Sequence, residues 1–126
     1  MRFMIIVKAT KDSEAGVMPD EKILTEMAKY HEELQKAGVL LDASGLQASA
    51  KGWRIRYSGQ KRTAIDGPFA EAKELIAGYT LIQVKSKEEA VEWAKRAPMQ
   101  DGDIIEVRQV QEIEDFPPDV RKAAGR

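Results

Sequence analysis

Two segments of the chain, residues 2–9 and 75–84, are apolar at both alternating sets of positions. A strand with one buried face is apolar only at every second position, so these segments predict interior strands covered on both sides. Apolar residues at spacings of three and four then predict a helix over residues 19–37. Its apolar face consists of Ile23, Met27, Tyr30, Leu34 and Ala37.

Local signals mark the ends of the helices and complete the element order. Pro19 suits the first position of the first helix, and Gly38 suits its end. Residues 86–89 (SKEE) predict a capping box that opens a second helix, which Pro98 ends. Shorter strands are predicted over residues 39–47 and 103–110, and a hairpin over residues 52–66. The order β-α-β-hairpin-β-α-β predicts an α+β fold, the ferredoxin-like split βαβ plan with an inserted hairpin.

The two-sided apolar strands also predict a partner. Two helices cover only one face of such a sheet, so the apolar residues of the second face need another cover. A second copy of the same sheet, stacked face to face, is the simplest one. We therefore expect a homodimer.

Composition excludes several classes of protein. The chain has 126 residues, 43% hydrophobic and 33% charged, which predicts one globular domain. Its net charge of −1 gives no general attraction to nucleic acid or to an acidic membrane. One histidine and no cysteine argue against a zinc site and against thiolate chemistry, and no cofactor is predicted. We expect a cytoplasmic protein with neither a signal peptide nor a membrane span.

Residues 66–74 (DGPFAEAKE) form the densest cluster of turn and charged residues. Asp66 ends the predicted hairpin, Gly67 permits an unusual backbone angle, and Pro68 stiffens the turn. Residues 70–74 then predict a short helical turn. Two interpretations of Asp66 stay open: its carboxylate bonds its own turn, or it faces a cleft as a general base.

Other polar residues are weaker candidates for chemistry. His31 borders the buried face of the first helix, where histidines are usually structural, but imidazole suits proton transfer near neutral pH. Lys73 and Glu74 either line the cleft or simply face solvent, and Lys73 close to Asp66 would favour anchoring over base catalysis. The basic hairpin residues are Arg54, Arg56, Lys61 and Arg62, with Trp53 and Tyr57 between them. They could bind an anion or nucleic acid, but we favour an exposed hairpin whose charges protect its edge.

Several separated motifs resemble the DGPF branch of the YCII-related family. Residues 66–74 carry the first, residues 78–79 (GY) follow, and residues 89–94 (EAVEWA) lie on the second helix. The resemblance implies a dimeric α/β barrel of ferredoxin-like subunits with a conserved acidic residue, here Asp66, in a cleft. It also implies a role for Arg108, although Gln109 stands where the family pattern often has proline.

Two functional hypotheses follow. The first is a small-molecule-binding homodimer, an enzyme of proton-transfer or isomerase type that uses Asp66 and His31, with Lys73, Glu74 and Arg108 binding the ligand. The second is a non-catalytic sensor or interaction module linked to a sigma factor, which the resemblance suggests. We expect the domain to occupy residues 1–112, followed by a loose tail over residues 113–126.

Overall fold

The computed structural model describes residues 1–125 and contains two antiparallel sheets. The larger sheet is built from β1 (Arg2–Lys8), β2 (Leu40–Gly45), β5 (Ile76–Gln83) and β6 (Ile105–Gln109) in the order β2-β5-β1-β6. The smaller sheet is the hairpin of β3 (Trp53–Ser58) and β4 (Lys61–Asp66). The α-helices are α1 (Lys11–Glu14), α2 (Glu21–Lys36), α3 (Lys87–Lys95) and α4 (Pro118–Ala123). With the hairpin set aside, this strand order is the ferredoxin-like arrangement, which confirms the predicted fold class.

The hydrophobic core lies between the larger sheet and helices α2 and α3. Phe3 pairs with Ile82 and Ile5 with Thr80, and these side chains share the face that the helices cover. Leu34 of α2 and Ile82 are 0% exposed, so α2 packs closely on the sheet at this point. The core cluster consists of Phe3, Ile5, Tyr30, Leu34, Val39, Ile82, Val84, Ala90 and Ala94.

The opposite face of the larger sheet, which we call the open face, is only partly covered: Ile6 is buried, whereas its apolar neighbours on this face are half-buried. Met4 pairs with Leu81 and Ile6 with Tyr79, and alternation along the strands places all four on this open face. The two alternating sets of apolar residues in β1 and β5 therefore lie on opposite faces of the sheet, as the sequence pattern predicts.

The helix ends show which local signals act. The Asp20 side chain accepts a hydrogen bond from the Ile23 amide at 2.9 Å, so Asp20 is the N-cap of α2. The placement of Pro19 at the first helical position is therefore wrong, because Pro19 precedes the cap. Gly38 follows α2 with φ of 74°, a left-handed angle that favours glycine. At α3, Ser86 accepts from the Glu89 amide, which is one half of the predicted capping box, whereas the Glu89 carboxylate accepts from the Lys85 amide and not from the Ser86 amide.

Two segments outside the predicted strands and helices contain short helices. Thr10 and Ser13 exchange hydrogen bonds between their side chains and amides, and this reciprocal cap opens α1. In the tail, the Arg121 guanidinium donates to the carbonyl oxygens of Phe116 and Glu114, each at 2.8 Å. These bonds support α4, so the prediction of a loose tail is wrong for that stretch. Arg126, the last residue of the predicted tail, lies outside the described residues.

Candidate active site

The turn after the hairpin packs directly on the 3-10 helix at Ser49–Lys51. The Gly67 amide donates to the carbonyl oxygen of Gly52 at 3.0 Å. A Cβ atom built on Gly67 would lie 1.8 Å from the carbonyl oxygen of Ser49. Glycine is required here because another stretch of backbone comes so close. The expectation that Gly67 supplies an unusual backbone angle is wrong, because its φ is not positive.

A series of hydrogen bonds links this turn, through Ser49, to Glu14 in α1. Ser49 donates to the Glu14 carboxylate from its amide, at 2.9 Å, and also from its hydroxyl. The same hydroxyl oxygen accepts a bond from the Phe69 amide at 2.9 Å. Glu14, Ser49 and Phe69 thus join three segments that are distant in sequence. The Ser49 hydroxyl, followed by its amide, lowers the pKa of Glu14 below its ordinary value.

An open cleft of ≈ 320 Å³ lies beside the fastened turn. The guanidinium of Arg54 stacks on the Phe69 ring, with its central carbon 3.9 Å from the ring centroid. Glu74, predicted as a ligand-binding residue, also lines the cleft. The lining residues are Glu14, Leu46, Gln47, Ser49, Arg54, Phe69, Glu74, Leu75 and Ile76. The cleft therefore combines an apolar surface with a guanidinium and two carboxylates.

Asp66 lies at the base of the hairpin and is exposed. It pairs with Trp53, whereas Arg54 pairs with Ile65, so Asp66 and Arg54 project from opposite faces of the hairpin. Among residues 1–125, its carboxylate accepts no hydrogen bond from the turn amides and does not line the cleft. Neither predicted arrangement, a self-bonded turn or a carboxylate inside its own cleft, is present in the single chain.

The other predicted site residues are spread over the molecule. His31 Nε2 lies 3.4 Å from the Thr80 hydroxyl oxygen, between α2 and the covered face of the sheet. Arg108 is exposed on the open face and pairs with Glu106 at 3.2 Å. Lys73 is exposed in the 3-10 helix at Ala72–Glu74. Only Glu74 of the predicted set lines the cleft.

The sequence analysis missed Glu14 and Ser49, and it considered Arg54 only as part of a basic hairpin. Glu14 and Ser49 are 35 residues apart, and no local pattern links them. The sequence contains only indirect signals for these residues. Thr10 and Ser13 have the spacing of a helix cap just before Glu14, and Arg54 alternates with the aromatic residues of the hairpin. The residues of the cleft come together only in the tertiary fold.

The lowered pKa of Glu14 predicts an acid-dependent contribution to folding. A carboxyl group whose pKa is lower in the folded state stabilises that state above its unfolded pKa, near 4.5, and loses this effect as pH falls through the folded pKa. We expect wild type to exceed Glu14→Gln in melting temperature at neutral pH, with the difference shrinking below about pH 4.5. Thermal melts across this pH range measure it. Glu26→Gln, on an exposed part of α2, is the control, and an equal pH trend in both variants would contradict the prediction.

The fold and the cleft together define a ferredoxin-like α+β domain with a cleft beside its Asp-Gly-Pro-Phe turn. Residues 1–114 match the YCII-related domain, so the chain belongs to the YCII-related family, as the resemblance indicated.

The chain is also similar to two known proteins. It is 30% identical over 76 residues to the uncharacterized protein R00369 of Rhizobium meliloti (strain 1021). That alignment covers 60% of this chain and 61% of the relative. The chain also resembles the structure of 5-chloro-2-hydroxyhydroquinone dehydrochlorinase (TftG) from Burkholderia phenoliruptrix AC1100 in complex with 2,5-dihydroxybenzoquinone. That similarity has a TM-score of 0.45 and 13% identity, and covers 92% of this chain and 100% of the other.

Two other features are absent from the described part of the chain. Within residues 1–125, no group of three or more His, Asp or Glu side chains could hold a metal ion. None of the helices in the same range is both long enough and apolar enough to cross a membrane.

Proposed function

We propose that the cleft binds a small organic acid or lactone, with Arg54 as the group that receives its carboxylate or carbonyl. The observation that supports this most is the guanidinium stacked on Phe69 at the cleft wall. Within residues 1–125 this guanidinium forms no ion pair with any carboxylate. A planar cation held against an aromatic ring keeps its N–H donors available for a ligand.

The rest of the lining suits the same class of ligand. Leu46, Leu75 and Ile76 supply an apolar surface for a short carbon skeleton. The volume of ≈ 320 Å³ lies at the lower end of ordinary ligand pockets, which span roughly 300–1,000 Å³. Glu74 adds an acceptor that can bind a hydroxyl group of the ligand. A small molecule with one acidic or carbonyl group and a compact apolar body fits these features.

The reaction we propose is proton transfer or isomerisation, with Asp66 as the base, in a homodimer joined through the open sheet face. A carboxylate removes a proton next to a carbonyl group, and an adjacent guanidinium stabilises the negative charge that forms on the oxygen. The half-buried residues Met4, Tyr79 and Leu81 on the open face support the dimer, because an apolar sheet face usually packs against another element. We expect an interface of about 2,000 Å² or more in total. A stable monomer in sedimentation at micromolar concentration would exclude this dimer.

Benzoate, a small aromatic acid, tests the binding function. Arg54→Met keeps the apolar stem of the side chain but removes the charged hydrogen-bond donors. We expect Arg54→Met to bind benzoate about tenfold more weakly, since a charge-assisted bond contributes about 1.5 kcal/mol or more. Isothermal titration calorimetry measures the affinity.

Arg56→Met is the matched control for this change. Arg56 lies on the same face of β3, two residue pairs nearer the hairpin tip, and does not line the cleft. The Arg56→Met substitution removes the same charge and should leave the benzoate affinity unchanged. Equal affinities of wild type and Arg54→Met would show that the cleft does not use Arg54.

A further inference from the structure

The outer face of the hairpin is an exposed apolar surface, which we define by Trp53, Ile55, Tyr57 and Ala64. Trp53 is 64% exposed, Ile55 45% and Tyr57 71%. Ile55 pairs with Ala64, so these side chains lie on one surface, and the guanidinium of Arg62 stacks on Tyr57 at the end of this surface near the hairpin tip. Strands β3 and β4 hydrogen-bond only to each other among the described strands, so the hairpin stands apart from the larger sheet.

The two faces of the hairpin differ in their relation to the rest of the chain. At the base of the inner face, Arg54 stacks on Phe69 and Ile65 is half-buried, so this face turns toward its own cleft. Side chains alternate along a strand, and the outer face therefore turns away from its own subunit. Asp66 belongs to the outer face, because it pairs with Trp53.

Charge indicates what covers the outer face. The hairpin, residues 53–66, carries four of the chain's 20 basic residues and one of its 21 acidic residues. Alternation places three of the four basic residues on the inner face, so the outer face carries one basic residue, Arg62, and one acidic residue, Asp66. The Asp66 carboxylate and the Arg54 guanidinium are opposite charges on opposite faces of the hairpin. This favours a contact between two copies in which Asp66 of one copy meets Arg54 of the other.

The area of the outer face is also large enough to form part of a dimer interface. Covering the exposed parts of Trp53 and Tyr57 would bury roughly 200–300 Å² per copy, judged from the usual contribution of an aromatic side chain. A standard interface buries about 800 Å² per partner, so the hairpin would supply about a third of it. The open sheet face then supplies the remainder.

We propose that the outer face of each hairpin docks on a second copy of the chain and carries Asp66 to the partner's cleft. Each site would then combine Arg54 of one subunit with Asp66 of the other. This explains why a single chain places the two residues on opposite faces of the hairpin. The inference rests on the proposed homodimer and names the subunit that supplies its base.

Single engineered thiols test the docking, because the chain has no cysteine of its own. Ala64→Cys places a thiol on the outer face, and Thr63→Cys, its exposed neighbour, places one on the inner face. Maleimide labelling is followed at dilutions where sedimentation shows monomer and at concentrations where it shows dimer. The Ala64→Cys thiol should label about tenfold more slowly when about nine tenths of the protein is dimeric, because it reacts in the free fraction. Thr63→Cys should label equally at both concentrations.

Several outcomes would overturn the docking. Equal labelling of both thiols in a dimer would show that the hairpin does not contact the partner, although the sheet-face dimer would stand. A monomer at every concentration would exclude both contacts. Protection of Ala64→Cys in a monomer by a single-stranded oligonucleotide would assign the face to nucleic acid instead.

Subunit mixing tests the shared site directly. If each site uses both subunits, a dimer of one Arg54→Met copy and one Asp66→Asn copy has one fully native site. Random mixing should then restore about a quarter of the wild-type rate of deuterium exchange into crotonolactone, a small unsaturated lactone. No recovery, with active wild type and stable mixed dimers, would place both residues of a site in one subunit. An inactive wild type would count against the proposed reaction, while the labelling result would still decide the docking.

Discussion

Gly67→Ala is expected to destabilise the protein by about 3 kcal/mol, which lowers the melting temperature by about 10 °C. The added Cβ would lie 1.8 Å from the carbonyl oxygen of Ser49 and 2.7 Å from its carbonyl carbon. Backbone atoms cannot rotate away as a side chain does, so the turn must leave the 3-10 helix beneath it. That movement breaks the bond from the Phe69 amide to Ser49 and displaces one wall of the cleft. Thermal or urea denaturation measures the change, and benzoate binding should weaken together with stability.

Gly52→Ala is the matched control for this substitution. Gly52 lies at the same contact, but a Cβ atom there would meet only the carbonyl oxygen of Ser49 at 3.6 Å, an ordinary contact. Its φ of −115° and ψ of −178° are open to any residue. We expect Gly52→Ala to be neutral or to stabilise the protein by up to about 1 kcal/mol, because alanine reduces the freedom of the unfolded chain. Similar losses from both substitutions would mean that the close approach at Gly67 does not restrict the turn.

The sequence predicts the framework well because the framework depends on local regularities. Strand β1 has apolar residues on both faces, and the folded chain places Phe3 in the core and Met4 on the open face. The cap at Ser86 and the end of α2 at Gly38 are likewise local, since each depends on a few neighbouring residues. Pro19 was misplaced because Asp20 competes for the same boundary and its side chain caps the helix.

The cleft could not be predicted in the same way, since its parts meet only in the folded chain. Glu14 lies outside every predicted strand and helix, and its bonds to Ser49 join segments without any shared periodicity. The sequence predicts that Gly67 supplies an unusual backbone angle, which is not the reason that glycine is needed at this turn. The decisive fact is the distance to a backbone that precedes it by 18 residues. The motif therefore indicates that the turn has an unusual structure, but it does not show which distant segment packs against the turn.

The position of Asp66 bears on the two roles that an acidic residue at a turn can have, support of the turn and catalysis. A carboxylate that only supports its turn should accept bonds from nearby amides, and within residues 1–125 the Asp66 carboxylate accepts none. A carboxylate that acts as a base must reach a ligand, and in one chain Asp66 faces away from the cleft wall formed by Arg54. Supply of Asp66 across the proposed dimer reconciles the exposed position with a chemical role.

Asp66→Asn is expected to reduce deuterium exchange from heavy water into crotonolactone at least about 100-fold, the usual lower contribution of a general base. Asparagine keeps the size of the side chain and the local turn, so stability should stay within about 1 kcal/mol of wild type. Proton nuclear magnetic resonance follows the loss of the signal from the carbon-bound hydrogen. Glu71→Gln, in the same turn, removes a carboxylate of equal charge and should retain the wild-type rate. An unchanged rate in Asp66→Asn would exclude Asp66 as the base. Equal losses in both variants would assign the effect to the charge of the turn, because only a positioned base distinguishes the two carboxylates.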